Sequence, residues 1–167
     1  LFIQSESSEF THASHPELVE EAEMLNERRF LSLDLNYAHR VSSGMYDYLM
    51  DNGMSVDEYL FFLGHDMREH CIIGNDYYAS NEQLLISENE RVFAGGVLGY
   101  YVVTKEYCER YNLPAICTET NMTDPDAVRW MWKTWANILR LRNDGKPICG
   151  MTWYSLTDQI DWDTALR

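Results

Sequence analysis

Three stretches of this 167-residue sequence end an apolar run in a carboxylate flanked by hydroxyl or aromatic groups. They are Ile73-Gly74-Asn75-Asp76-Tyr77-Tyr78, Ala115-Ile116-Cys117-Thr118-Glu119-Thr120-Asn121, and the segment from Tyr154 through Asp158 to Asp161 and Trp162. An acid that closes an apolar run stands where the chain leaves a strand, and in a parallel α/β barrel that rim is where catalytic side chains gather. Carboxylates accept hydrogen bonds from hydroxyls, and aromatic faces stack on the apolar C–H face of a pyranose, so acids among Tyr and Trp suit a sugar. Taken singly, each acid reads more readily as a solvated loop residue. Their shared place at strand ends is what argues for chemistry, and Glu119 is the focus of it.

The elements that must position these groups follow from pattern. Pro114 opens a run, Ala115 to Cys117, that can be buried on both faces as a parallel strand requires. Asp124-Pro125-Asp126 then supplies an N-cap, a proline for the first helical position and a first-turn acid. The helix predicted from Asp124 to Arg142 has Val128, Met131, Trp135, Ile138 and Leu139 inward and stops at Asn143-Asp144-Gly145. Trp130, Trp132 and Trp135 on it read as core packing. Further strands are expected near 1–4, 70–75 and 147–153. Helices are expected over 16–29, where Ser14 and Glu17 have capping-box spacing, over 43–51, over 56–63 behind the same spacing at Ser55 and Glu58, and over 104–111. Residues 80–95 read as a polar connection, a rim loop or small hairpin. Strand alternating with helix predicts a parallel sheet or (β/α) barrel with helices outside, and four strands make half of a (β/α)8 barrel. At this length residues 1–167 form one domain.

Composition narrows the partners. A formal charge of -14, from 27 acids against 13 bases, argues against a phosphate-binding surface, so no nucleic acid is expected. The 46% hydrophobic content excludes disorder. Cys71, Cys108, Cys117 and Cys149 form no C-x-x-C pair and mostly sit in apolar runs, which suits buried free thiols in a reducing, cytoplasmic setting. No run reaches the roughly 18 apolar residues of a membrane span. Leu1-Phe2-Ile3 is too short for a signal peptide, and a chain that opens on a strand without Met reads as a piece of a longer one. His65 and His70, five residues apart around Asp66, do not share a helix face, so they are not read as metal ligands. Asn121-Met122-Thr123 is a glycosylation sequon by chance, beside the candidate site.

The same stretches resemble glycoside hydrolase family 1, the retaining β-glycosidases. Thr118-Glu119-Thr120-Asn121 is similar to that family's T-E-N-G, Tyr154 to Trp162 to its W-S-L-x-D-N-F-E-W, and Ile73 to Tyr78 to its I-G-L-N-Y-Y. The leading strand, polar loop and acidic helix running into Arg28-Arg29-Phe30-Leu31 resemble its fifth barrel unit. The motifs occur in order over nearly the whole chain, which would make it the last four βα units of a (β/α)8 barrel. The resemblance implies that Glu119 is the nucleophile, that Tyr78 hydrogen-bonds it, that Asp161 and Trp162 grip the sugar's distal hydroxyls, and that Tyr154 stands in for a tryptophan. Asp76, expected among the substrate-binding residues, replaces an Asn of the family, Asp161 a Glu, Gln159 and Ile160 an Asn and a Phe, and Thr120-Asn121 an Asn-Gly. The N-E-P motif that carries the acid/base is missing from this sequence, and Glu6 or Glu9 could substitute for it. The implied partners are a carbohydrate and either the missing N-terminal half-barrel or a second copy. The alternative is a sugar-binding or regulatory barrel that has lost efficient hydrolysis.

Overall fold

A computed structural model describes residues 1–123 and 125–157. Asp124, Asp158, Asp161 and Trp162 lie outside them. Among the described residues the chain runs β1 (Phe2–Ser7), β2 (Phe10–Ala13), α1 (Val19–Arg28), α2 (Leu31–Asn36), α3 (Ser43–Asp51), α4 (Val56–Leu63), β3 (Cys71–Asp76), β4 (Glu82–Ser87), β5 (Glu90–Phe93), α5 (Gly99–Tyr111), β6 (Ala115–Thr120), α6 (Ala127–Asn143) and β7 (Ile148–Trp153). Strands β1, β3, β6 and β7 form one parallel sheet in that order, and β2, β4 and β5 form a second. The parallel α/β sheet with helices against it is the expected class, and among the described residues nothing pairs with the outer edges of β1 and β7.

One face of the four-stranded sheet carries the main core. Ile73, Cys117 and Ile148 pack there against Tyr100, Val103 and Tyr107 of α5 and Ile138 and Leu141 of α6, all buried. Polar groups on this face are paired: Asn75 donates to Thr104 Oγ1 at 2.8 Å and accepts from the Tyr100 hydroxyl at 2.9 Å. The opposite face must be lined by small side chains where strands meet. A Cβ added to Gly74 would lie 2.7 Å from Thr118 Cγ2 and 2.9 Å from Ile3 Cγ2, so only glycine fits between those neighbours.

The hairpin expected over 80–95 is present as antiparallel β4 and β5, and β4 also pairs in parallel with β2. Strand β2 is only four residues long and helix α2 was not foreshadowed either. Helix α2 is fixed by a tertiary contact, since buried Asp34 takes a two-pronged bond from Arg110, at 2.7 and 2.6 Å, and a third from the Tyr111 hydroxyl. Helix α5 starts at Gly99 rather than Thr104, because its first amides are satisfied by a distant carboxylate, described below.

Four expectations about helices are corrected. Ser14 forms no cap, and its hydroxyl is buried without a partner while a 3-10 turn opens at Pro16. Helix α6 begins at Ala127, so Pro125 precedes the helix rather than opening it. Its core stripe is Trp130, Thr134, Ile138 and Leu141, whereas Val128, Met131 and Leu139 are exposed. Trp132 is 60% exposed and is not core. Apolar residues cover well over half of this helix's circumference, so periodicity alone could not tell which stripe the sheet would take.

Candidate active site

Glu119 reaches the site because β6 carries a bulge. Asn75 opposes Cys117 and Asp76 opposes Glu119, which leaves Thr118 as the extra residue between them. An inserted residue breaks the two-residue alternation and re-aims the side chains that follow. Cys117 and Thr120 both bury on the helix side, Cys117 within the core and Thr120 against Trp130, while Thr118 and Glu119 between them turn away from it. Without the extra residue Glu119 would have followed Cys117 into the helix layer.

The Tyr78 hydroxyl donates to Glu119 Oε1. Burial and then the neighbouring Glu119 carboxylate push the phenol pKa up, so Tyr78 keeps its proton as a donor. Its backbone is fixed too: Tyr78 N–H donates to Asn81 Oδ1 at 2.6 Å, and Asn81 Nδ2 donates to Ser7 Oγ at 2.7 Å. Asp76 accepts at Oδ1 from Ser5 Oγ at 3.0 Å and from Thr118 Oγ1 at 2.7 Å. These bonds hold it on the face away from the helices, on the rung that it shares with Glu119.

The ring next in sequence turns the other way. Tyr77 is buried, stacks on Trp130 at 5.6 Å between centroids, and donates to Glu82 Oε1 at 2.6 Å. Thr120 closes the circuit by accepting from Trp130 Nε1 at 2.8 Å and donating to the Tyr77 carbonyl at 2.6 Å. The exits of β3 and β6 are thereby locked to each other and to α6.

Glu82 is the residue that sequence reasoning missed. It sits in the stretch read as a polar connection, yet it is fully buried and accepts from Leu98 N–H at 2.8 Å, Gly99 N–H at 2.9 Å, the Tyr77 hydroxyl and His12 Nε2 at 3.0 Å. Burial alone would raise its pKa, but these donors outweigh it and hold the carboxyl below the ordinary Glu value. A Glu beside Gln, Leu and Leu gives no local sign of this, because its donors lie in other elements.

Tyr78 and Glu119 open onto a cavity of about 580 Å³, also lined by Phe93, Asn121, Met122 and Tyr154. Tyr154 thus lines the same cavity as Glu119, and the peptide joining it to Ser155 is cis. Asp76 is absent from the cavity wall, while the positions of Asp161 and Trp162 fall outside the described residues. Neither Glu6 nor Glu9 lines the cavity. Glu6 pairs in register with Asn75, whose side chain enters the helix layer, so it faces the same way. Among the described residues no group of three potential ligands could hold a metal ion. His65 instead bonds the Phe61 carbonyl at 2.6 Å and stacks on its ring. No described helix is long and apolar enough to cross a membrane.

The fold has known counterparts. A β-glucosidase from Thermotoga maritima in complex with glucoimidazole superimposes with a TM-score of 0.72 over 96% of this chain and 42% of that one, at 13% identity. The same organism's family 1 glycoside hydrolase complexed with a cyclophellitol analogue gives 0.71 at 13% identity, again over 96% and 42%. Its β-glucosidase in complex with castanospermine gives 0.69 at 12% identity, over 92% and 41%. The chain therefore has the fold of part of a family 1 barrel and spans about two fifths of these neighbours' length. No family model and no curated protein matches the sequence.

Proposed function

We propose that this chain is the C-terminal half of a family-1-like (β/α)8 barrel, a single domain over residues 1–167, and that the whole barrel is a retaining β-glycosidase acting through Glu119. The observation that carries the reading is the Tyr78–Glu119 hydrogen bond at the mouth of the cavity. A carboxylate aimed by a donor at a strand end is what a nucleophile requires. Glu119 Oε2 or Oε1 attacks the anomeric carbon, the glycosidic C–O bond breaks, and the departing oxygen takes a proton from a general acid. Water, giving its proton to that same group now acting as base, then attacks the anomeric carbon and breaks its bond to Glu119, which releases the sugar with retention and gives back the carboxylate. Asp161 and Trp162 are assigned to the sugar's distal hydroxyls, Tyr154 to its ring face, and Asp76 to tuning the polar floor beneath Glu119.

Retaining hydrolysis uses two carboxyl groups about 5 Å apart. Glu119 is the one acid among the described residues that line the cavity, so the acid/base is assigned to the other half of the barrel. The outer edges of β1 and β7, unpaired among the described residues, with Phe2 and Ile3 exposed on β1 and Leu1 exposed just before it, are where that half or a second copy would pair. The four free cysteines suit a reducing, cytoplasmic compartment.

The same single carboxylate favours a second reading, a barrel that binds sugar and hydrolyses it poorly. Chromogenic β-glycosides of glucose, galactose, mannose and fucose, given to the full-length protein, separate the two. Turnover with retention at the anomeric carbon by NMR, lost in Glu119→Gln, supports the glycosidase. Binding of the same sugars without turnover supports the binding barrel.

A further inference from the structure

We propose that Arg28, Arg29 and Arg91 form a binding site for one small tetrahedral dianion, either inorganic phosphate or the phosphate group of a small monoester. The site is a second cavity, of about 180 Å³, between the C-terminal end of α1 and the sheet of β2, β4 and β5. Its wall carries these three guanidiniums with Thr11, Asn26 and one acid, Glu9. It shares no lining residue with the cavity of Glu119, so the site stands whether or not that carboxylate hydrolyses glycosides. In a chain of 27 acids and 13 bases, three cations to one anion on a single wall runs against composition.

Helix capping accounts for Arg29 and leaves the other two unexplained. Arg29 Nε donates to the Asn26 carbonyl at 3.0 Å, Nη1 to the Glu9 carbonyl at 3.1 Å, and Nη2 to the Glu106 carboxylate. Its side chain is 5% exposed and lies against the rings of Phe30 and Phe10, at 4.3 and 5.1 Å. Two of the guanidinium's five N–H groups are left over. Arg28 lies over the Tyr48 ring at 5.7 Å, and Arg91 reaches only Gln83 Oε1, at 3.5 Å. Among the described residues neither forms an ion pair, whereas Arg68, Arg110 and Arg140 each take a carboxylate. Glu9 does not neutralise the wall, since Arg29 binds its carbonyl and its exposed carboxylate enters no ion pair among those residues.

The wall is also preformed. Asn26 clamps α1 to β2, accepting from Thr11 N–H at 2.7 Å and donating to the Thr11 carbonyl at 2.8 Å, so a ligand need not order it. Guanidiniums are planar forks that take anionic oxygens in pairs, and forks on both a helix end and a strand suit a tetrahedral anion better than a carboxylate with two oxygens. The volume is below the roughly 300 Å³ at which pockets for drug-sized ligands begin, which suits a single anionic group. The charge of -14 repels polyanions at range, but salt screens it beyond about 10 Å and the wall decides at contact.

The test is calorimetric titration of the full-length protein with inorganic phosphate, glycerol 3-phosphate and succinate, at constant ionic strength and pH 7.5. Phosphate is expected to bind once per chain with a Kd of about 1 mM or tighter. Arg91→Gln and Arg28→Gln should each weaken it about tenfold, with the melting temperature little changed because neither side chain is buried. The control Arg142→Gln removes the same charge from an exposed position at the end of α6 and should leave the affinity within about twofold. Glycerol 3-phosphate separates the two sources: binding at least as tight as phosphate assigns the site to monoesters, weaker binding to the free ion, and both outcomes keep the site. No saturable phosphate binding overturns the proposal, as does binding that survives both Arg28→Gln and Arg91→Gln. A loss as large in Arg142→Gln also overturns it, by showing general electrostatics, and succinate binding tighter than phosphate overturns the phosphate assignment.

Discussion

Tyr78 and Glu119 come from the exits of two neighbouring strands, β3 and β6, and meet through a hydroxyl–carboxylate hydrogen bond. The bulge at Thr118 is what makes the meeting possible, since it frees Glu119 from the alternation that would have sent it after Cys117 into the helix layer.

Tyr78→Phe removes that donor and little else. A hydrogen bond to a charged group contributes about 1.5–3 kcal/mol, so kcat/KM on a chromogenic β-glycoside should fall about tenfold to a hundredfold. The melting temperature should move little, which separates loss of aim from loss of fold.

Thr120→Val keeps shape but deletes an acceptor for Trp130 and a donor to Tyr77. Two buried polar groups lose their partner, and urea denaturation should show a loss of about 1–3 kcal/mol. An unchanged midpoint would mean that this circuit does not hold the rim together.

Glu82 makes stability depend on pH in a definite direction. Its folded pKa is depressed, so its contribution is complete above the unfolded carboxyl value of about 4.3 and is lost as pH falls through the lower folded value. Glu82→Gln should therefore be less stable than the parent at pH 7 by about 1–3 kcal/mol. The gap should close as the pH is lowered below that window, as followed by urea midpoints.

The thiols divide three to one. Burial pushes Cys108 up to about 11 and Cys117 up to about 12, Cys71 is buried, and Cys149 is exposed. Titration with a chromogenic disulfide near pH 8 should find one fast thiol, removed by Cys149→Ser, and three that react only in denaturant.

Much of this was legible in the sequence where the determinant is local. Helix α4 opens on the Ser55–Glu58 capping box, with both halves formed, and α3 has the bounds that its pattern and Asn52-Gly53 set. The strands that end at Asp76, Thr120 and Trp153 could be placed because an apolar run turning polar marks a rim. Elements fixed from a distance were not legible. Gly99 to Val103 carried no helix expectation, yet the stretch opens α5, where Glu82 accepts from the Leu98 and Gly99 amides. Asp34 and the Thr118 bulge likewise depend on partners far away in the chain, and nothing in their own neighbourhood announces them.

The most direct measurement is the intact mass of the full-length protein after incubation with a 2-deoxy-2-fluoro-β-glycoside carrying an excellent leaving group. Such a leaving group departs without acid assistance, so the experiment isolates the nucleophile. The account predicts a gain of one fluorosugar, mapped by peptide digestion to Glu119 and abolished in Glu119→Gln. No adduct from gluco, galacto, manno or fuco donors, in protein shown to be folded, or an adduct on a different residue, would contradict it.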